Sequence, residues 1–148
     1  MKEAKTLKAD VSLIEAQGNI AEKLVAEAGE SILEIKRVKG VGNTSVVYFK
    51  TYIKTSMNLS INADDYYGSL YEMLLEKGIK VDEVYEYLEA VNPDEEVQKM
   101  LNVEENQPIL KRVRNTFNRK KNYAEYTECY YIGERYRYYL DFYQVNSK

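Results

Sequence analysis

The chain has 148 residues, of which 45% are hydrophobic and 30% charged, and its net charge is −3. This length suits one domain with a substantial core, and the lack of a concentrated basic segment argues against direct DNA binding. The sequence contains no histidine, which excludes Ser–His and Cys–His nucleophile pairs and histidine zinc sites. The single Cys129 fits a reducing compartment, and no apolar segment approaches the roughly 20 residues that cross a bilayer. We therefore expect a cytoplasmic chain without membrane contact.

The first half of the chain predicts a strand, a helix and a hairpin. A strand over residues 11–16 precedes a helix over 20–26, with Asn19 as its cap and Gly29 at its end. Strands over 32–39 and 44–53 flank a glycine turn and form the hairpin. A polar connector then leads into a helix over 70–77, which Gly78 ends.

The second half repeats this order. Residues 79–90 are extended, and a helix with Pro93 in its first turn runs to about residue 101. Strands over 108–117, 123–132 and 136–143 follow. The segment from Lys23 aligns without gaps on the segment from Met100, so that Arg37 meets Arg114. The repeated order indicates an internal duplication and an α+β domain, an antiparallel sheet with helices packed on it.

On one face of the strand over 32–39, the row of apolar side chains is followed by cationic side chains. Alternate residues of a strand share a face, which places Arg37 and Lys39 in this row and Arg112 and Arg114 in the equivalent row. Cations in a core-facing row need an ion-pair partner or a wet cleft. The pattern alone is equally compatible with ion pairs across the sheet, a solvated face and a ligand site.

Two further positions are candidates for binding. Glu125 shares a strand face with Tyr123, Thr127, Cys129 and Tyr131, where it can accept hydrogen bonds from a ligand or pair with Arg37. Ser69 and Glu72 fit a capping box at a helix start, and this structural role explains Ser69 by itself. The same helix start also offers N–H groups to an anion.

The chain resembles the UTRA domain, the effector-binding domain of GntR-type regulators of the HutC subfamily, in segments that occur in the same order and spacing. They are EKLVAEAGESILEIKRVK, SLYEMLLEKG, VQKMLNVEENQPILKRVRNTF and YAEYTECYYIGERYRY. The resemblance extends from about Leu7 to Phe142. It implies a chorismate-lyase-like fold, a homodimer, and an inducer pocket between the sheet and the helices.

The resemblance also implies site residues. The family's R-x-R pattern falls on Arg37 and Lys39, its S-L-Y on residues 69–71 and its E-Y on residues 125–126, and a further tyrosine falls on Tyr131. Lys39 departs from the pattern, since lysine cannot make a planar bidentate contact. Ile132 and Glu134 replace an Arg and an Asp, which removes one cation if that arginine contacts the ligand. The expected ligand-binding residues are Arg37, Lys39, Ser69, Tyr71, Glu125 and Tyr131.

We therefore expect the sensing domain of a repressor that binds a small polar, anionic metabolite such as a sugar phosphate, without a metal or another cofactor. DNA contact would require an N-terminal winged helix-turn-helix domain that this chain lacks. Two alternatives remain open at the level of sequence. One is an enzyme on the chorismate-lyase-like fold, and the other is a dimerisation module with a collapsed pocket.

We also expect a homodimer, because repressors of this type read two-fold operators. The strand over 136–143 is the predicted contact. One face would enter the core through Tyr136, Tyr138, Leu140 and Phe142. The other would meet the partner, or solvent, through Arg137, Tyr139, Asp141 and Tyr143.

Overall fold

Two long hairpins form the centre of the molecule. The computed structural model describes residues 4–142. In chain order the elements are β1 (Lys5–Glu15), α1 (Gly18–Lys23), β2 (Ser31–Val41), β3 (Thr44–Lys54), α2 (Leu70–Glu76), β4 (Glu83–Val91), α3 (Glu95–Leu101), β5 (Ile109–Asn118) and β6 (Tyr123–Ile132). Short 3-10 turns lie between some of them, including one at Ala63–Tyr66.

The six strands form one antiparallel sheet in the order β1-β2-β3-β6-β5-β4. This order is symmetric, since β1, β2 and β3 on one side correspond to β4, β5 and β6 on the other. The strand register has the same symmetry. Arg37 lies opposite Phe49 in the first hairpin, and its equivalent Arg114 lies opposite Thr127 in the second. The approximate two-fold axis passes through the pair formed by Lys50 and Glu128. The predicted α+β class and the symmetry expected from the duplication are confirmed.

Alternating side chains give the sheet two faces, each of which is partly covered by other elements. On one, the helix face, α1 and α3 pack over the central strands through apolar residues such as Ala21 and Leu101. On the other, the cavity face, the 3-10 turn and α2 cover one end of the sheet through Tyr66, Leu70 and Leu74. The rest of the cavity face is not covered by these elements, and the polar residues of β2, β3, β5 and β6 lie there.

Backbone requirements account for several turns. Gly40 lies at a bulge in the β2–β3 hairpin, where an added Cβ would come within 2.1 Å of the carbonyl oxygen of Thr44. No other residue fits there without a shift of the backbone. Gly78 ends α2 with a φ of 75°, in the left-handed region that glycine adopts without strain.

Most predicted elements are confirmed, but several details are wrong. Residues 136–142 form no strand, and Leu140 and Phe142 are 64% and 88% exposed instead of entering the core; Tyr143 lies outside the described residues. The cap of α1 is Gln17 and not Asn19. Asp94 caps α3 by accepting a hydrogen bond from the N–H of Val97, so that Pro93 precedes the helix. Within residues 4–142, none of the helices is long and apolar enough to cross a membrane.

Candidate functional site

A cavity of about 680 Å³ opens on the cavity face of the sheet. Its floor consists of side chains from four neighbouring strands, β2, β3, β6 and β5. The segment 67–71, which leads into α2, forms one wall, and the start of β1 forms another. Its lining residues include Arg37, Lys39, Phe49, Thr51, Ser69, Tyr71, Arg112, Arg114, Glu125, Thr127 and Cys129.

The sheet register aligns these floor residues in rows across the strands. One row runs from Arg37 through Phe49 and Cys129 to Arg112. The adjacent row includes Thr51, Thr127 and Arg114. Because each row takes one residue per strand, residues that are far apart in the sequence share one surface. This alignment explains why the cavity draws on both halves of the duplication.

The cavity is strongly cationic. Lys5, Arg37, Lys39, Arg112 and Arg114 line it, and Glu125 is the single carboxylate among the lining residues. Arg37 is 7% exposed, and its Nε atom is buried without a hydrogen-bond partner. Among the described residues, no carboxylate lies within ion-pair distance of Arg37 or Lys39.

Burial lowers the pKa of the Arg37 guanidinium, although Glu125 partly offsets the shift. Burial, and after it the charge of Arg37, lowers the pKa of the Lys39 ammonium. Both cations pack against one ring: the Cζ atom of Arg37 is 5.5 Å and the Nζ atom of Lys39 5.3 Å from the centroid of Phe49. This end of the cavity therefore holds two closely spaced, poorly solvated positive charges.

Glu125 is buried at 5% exposure and is held by two hydroxyl groups. Tyr123 donates to its Oε1 atom over 2.9 Å, and Thr127 donates to its Oε2 atom over 2.7 Å. The hydroxyl oxygens of Thr127 and Thr51 lie 3.1 Å apart. The carboxylate is thus fixed in place and keeps free acceptor positions. The proposed pairing of Glu125 with Arg37 at ion-pair distance is not found.

Ser69 and Tyr71 lie in the wall of the cavity. The Ser69 hydroxyl accepts a hydrogen bond of 3.3 Å from the N–H of Glu72, as its position before α2 predicts. Burial raises the pKa of the Tyr71 phenol, so its hydroxyl stays protonated at neutral pH. Both residues are exposed at this wall.

The structure brings five of the six predicted ligand-binding residues to the cavity and leaves one away from it. Tyr131 does not line the cavity; it stacks on Tyr136, with the ring centroids 4.0 Å apart. Ile132, which stands where the family pattern has an arginine, lies on the helix face with 0% exposure. A side chain at this position therefore does not reach the cavity.

Several lining residues were not assigned to the site from the sequence. In the sequence, Arg112 and Arg114 stand out only because they lie in the strand equivalent to that of Arg37. No sequence pattern indicates that Phe49, Thr51 or Cys129 belongs to the site. The offset of the duplication is the signal that identifies Arg114, because it occupies the position of Arg37 in the second half. The threonines are found only when the register between β3 and β6 is known.

Among the described lining residues, Cys129 is the one thiol. Burial raises the pKa of the Cys129 thiol to about 11, which keeps it protonated at neutral pH. In the described part of the chain, no group of three or more His, Cys, Asp or Glu side chains is placed to hold a metal ion. The described lining residues therefore offer hydrogen bonds and charged groups to a ligand.

Comparison with known proteins identifies relatives for almost the whole chain. The family model of the UTRA domain matches residues 2–137. PhnF from Mycobacterium smegmatis superposes with a TM-score of 0.83 at 17% identity, over 96% of this chain and 64% of that chain. The chain thus spans less than two thirds of the M. smegmatis protein. No curated protein matches the sequence.

Two further solved structures are similar over nearly their full length. A GntR-family transcriptional regulator from Bacillus cereus has a TM-score of 0.80 at 18% identity, over 95% of this chain and 98% of that chain. The C-terminal domain of the histidine utilization repressor from Pseudomonas syringae pv. tomato has a TM-score of 0.74 at 16% identity, over 95% of this chain and 98% of that chain. At these identities the structures establish the shared fold.

Proposed function

The chain belongs to the UTRA domain family, the ligand-binding domains of GntR-family transcription regulators, and we propose that its cavity binds a small anionic metabolite that controls DNA binding. This family consists of regulatory domains and not of enzymes, which decides against the lyase alternative. A cavity of about 680 Å³ also does not fit a module with a collapsed pocket.

The observation that carries the proposal is the buried Arg37 without a partner. Removing a charge from water is costly unless an opposite charge or several hydrogen bonds compensate it. Among the described residues no carboxylate lies within ion-pair distance of Arg37, Glu125 offsets its burial only in part, and Lys39 beside it adds a second charge. An anionic ligand group would supply the missing charge through charge-assisted hydrogen bonds. We therefore assign Arg37 and Lys39 to a carboxylate or phosphate of the ligand.

The uncharged part of the ligand is assigned to the region around Glu125. The carboxylate of Glu125 accepts hydrogen bonds from ligand hydroxyl or amino groups, and the Tyr71 hydroxyl donates or accepts across the cavity. Ser69 contributes a hydroxyl at the wall. Lys39, as a point charge, tolerates more orientations of the anion than the arginine of the family pattern. These assignments favour a phosphorylated or carboxylated polyol over an apolar ligand.

The remaining parts of the proposal concern the whole regulator. The domain acts in the cytoplasm with an N-terminal winged helix-turn-helix domain, which contacts DNA, while this chain senses the metabolite and forms a homodimer. Ligand binding shifts the relative positions of two DNA-binding domains and thereby changes affinity for the operator. The family membership supports this arrangement.

A thermal-shift screen tests the proposal. Sugar phosphates, sugar acids and amino-acid derivatives are added to the purified chain, and each anionic compound is compared with its uncharged parent. A ligand at about 100 times its Kd stabilises the folded state by roughly 2.7 kcal/mol. We expect stabilisation by at least one anionic compound and none by its parent. Stabilisation by uncharged compounds alone would contradict the assignment.

A further inference from the structure

Cations occupy both ends of the cavity floor. Arg37 and Lys39 lie on β2, whereas Arg112 and Arg114 lie on β5, and the strands β3 and β6 separate them. Three strand spacings of about 4.8 Å place the Cα atoms of Arg37 and Arg112 roughly 14 Å apart. A small anionic group bound between Arg37 and Lys39 therefore lies at one end of the floor and not midway between the two pairs of cations.

Two aromatic rings hold the cationic groups apart. Arg37 and Lys39 contact the Phe49 ring, whereas the Cζ atom of Arg112 is 5.6 Å from the centroid of the Tyr131 ring. The two rings meet edge to face, with their centroids 6.4 Å apart. Each cationic group thus has its own platform, which favours two separate positions over one shared cluster.

Arg112 is less fully compensated by carboxylates than its neighbour Arg114. Its Nε atom is buried without a hydrogen-bond partner, and no carboxylate of the described residues lies within ion-pair distance. The Nε atom of Arg114 also lacks a well-aligned hydrogen bond, but it lies 3.1 Å from Glu86 Oε2, whose charge acts on Arg112 only from farther away. An anion at Arg37 would leave Arg112 without an ion-pair partner at the other end of the floor.

Resting on the proposed function, we propose that Arg112, with Arg114 beside it, forms a second anion subsite, so that the cavity takes a ligand with an anionic group at each end. The ligand class is a diacid or a phosphorylated acid with a hydroxylated middle. That middle part lies near Glu125, Thr127 and Tyr71, which provide hydrogen-bonding groups between the two ends. The internal duplication accounts for the two ends, since each half of the sheet contributes two cations from one strand, Arg37 and Lys39 from β2 and Arg112 and Arg114 from β5.

Inorganic phosphate is the first probe. The chain contains six arginines, and their ¹⁵Nε–¹Hε NMR signals are assigned with the variants Arg37→Gln and Arg112→Gln. We expect phosphate to shift the signals of both Arg37 and Arg112, and Arg112→Gln to leave the phosphate affinity at Arg37 within about two-fold. A shift at Arg37 alone would overturn the second subsite and leave the proposed function intact. No shift at either arginine would overturn both.

A matched pair of compounds tests the two-ended ligand. 6-Phosphogluconate and sorbitol 6-phosphate share a six-carbon hydroxylated chain and a phosphate, and only the first has a carboxylate at the other end. We expect the wild-type chain to bind 6-phosphogluconate at least about ten-fold more tightly, as the loss of a hydrogen bond to a charged group predicts. A wild-type chain that shows no preference for the diacid would contradict the inference.

The variants locate the preference. Arg112→Gln is expected to abolish it, whereas Lys99→Gln, which removes an exposed charge from α3 on the helix face, is expected to retain it. The NMR spectrum of each variant reports its folding. If Arg112→Gln does not fold, the wild-type comparison of the two compounds decides the question. A preference that persists in folded Arg112→Gln would overturn the role of Arg112.

Discussion

Arg37 and Arg114 occupy equivalent positions in the two halves of the sheet, but within residues 4–142 only Arg114 has a carboxylate at ion-pair distance. Glu86 on the edge strand β4 lies 3.1 Å from the Nε atom of Arg114 and also accepts a hydrogen bond from Tyr138. The residue of β1 opposite Arg37 is Ala9, which offers no charge. The two halves have therefore diverged at the edges of the sheet, and this difference leaves Arg37 available to a ligand.

Replacing Glu125 by glutamine should change ligand preference with little loss of stability. The amide keeps the shape and an oxygen acceptor for Tyr123, but it adds a donor where the carboxylate only accepts. We expect compounds with hydroxyl groups near this position to lose affinity in titration calorimetry, while the urea midpoint stays close to that of the wild type. A large loss of stability with unchanged ligand affinity would make Glu125 a purely structural residue.

Glu96 should make stability depend on acidic pH. Burial of this carboxyl raises its pKa, but the hydrogen bond from Tyr48 and the charges of Lys36 and Lys50 outweigh burial and lower the pKa to about 2. A pKa lowered by folding stabilises the folded state above the ordinary value near 4.5, and this contribution disappears as the pH falls toward 2.

The variant Glu96→Gln isolates this effect. In urea unfolding at a series of pH values, we expect the wild type to be more stable than Glu96→Gln at pH 6 and the difference to shrink between pH 4.5 and 2. Glu105→Gln, at an exposed position without an ion pair, should follow the wild type throughout. A difference between wild type and Glu96→Gln that does not change with pH would contradict the assigned pKa.

The packing of α2 should support the cavity wall. Leu74 is 1% exposed and packs into the apolar cluster beneath α2, whereas the next residue, Leu75, is 58% exposed. Leu74→Ala is expected to reduce the free energy of unfolding by about 2–5 kcal/mol. Leu75→Ala should stay within about 0.5 kcal/mol of the wild type. Equal effects of the two substitutions in chemical denaturation would show that α2 does not pack as described.

The chain should be a dimer in solution. Sedimentation velocity at micromolar concentration is expected to give a mass of two chains, and a monomer would contradict this prediction. Residues 136–142 are not a strand, but Tyr139, Leu140 and Phe142 still form an exposed apolar segment, a composition typical of interfaces. Tyr139→Lys combined with Phe142→Lys should therefore weaken the dimer. A dimer that survives both substitutions would place the interface elsewhere.

The sequence predicted those parts of the fold that depend on local periodicity. The strand over 123–132 matches β6 at both ends, and the two hairpins follow from alternation and turn residues. The same alternation wrongly predicted a strand at residues 136–142, because alternating tyrosines fit a strand pattern whether or not a neighbouring strand is available. In that segment Tyr136 stacks on Tyr131, and the Tyr138 hydroxyl donates a hydrogen bond to Glu86. These side-chain contacts hold the segment without a ladder of backbone hydrogen bonds.

The cavity could be predicted only in part, for a related reason. Strand faces placed Arg37, Lys39 and Glu125 on the correct side of their strands, but they did not show which strands are neighbours. The pairing of β3 with β6 brings Thr51 to Thr127 and sets Arg112 in the same row as Arg37. Tyr131 shares the face of Glu125 and lies in the same row as Lys39, yet it does not line the cavity; its ring stacks on Tyr136, a contact that a face pattern does not reveal.

The most direct test of the account is the affinity of Arg37→Gln for the best anionic compound from the screen, measured by titration calorimetry beside wild type and Lys99→Gln. Loss of hydrogen bonds to a charged group should weaken binding by roughly 1.5–3 kcal/mol, while the control keeps wild-type affinity. The uncharged parent compound should bind wild type and Arg37→Gln equally weakly. Unchanged affinity of a folded Arg37→Gln for the anionic compound would contradict the assignment of this cavity to an anionic effector.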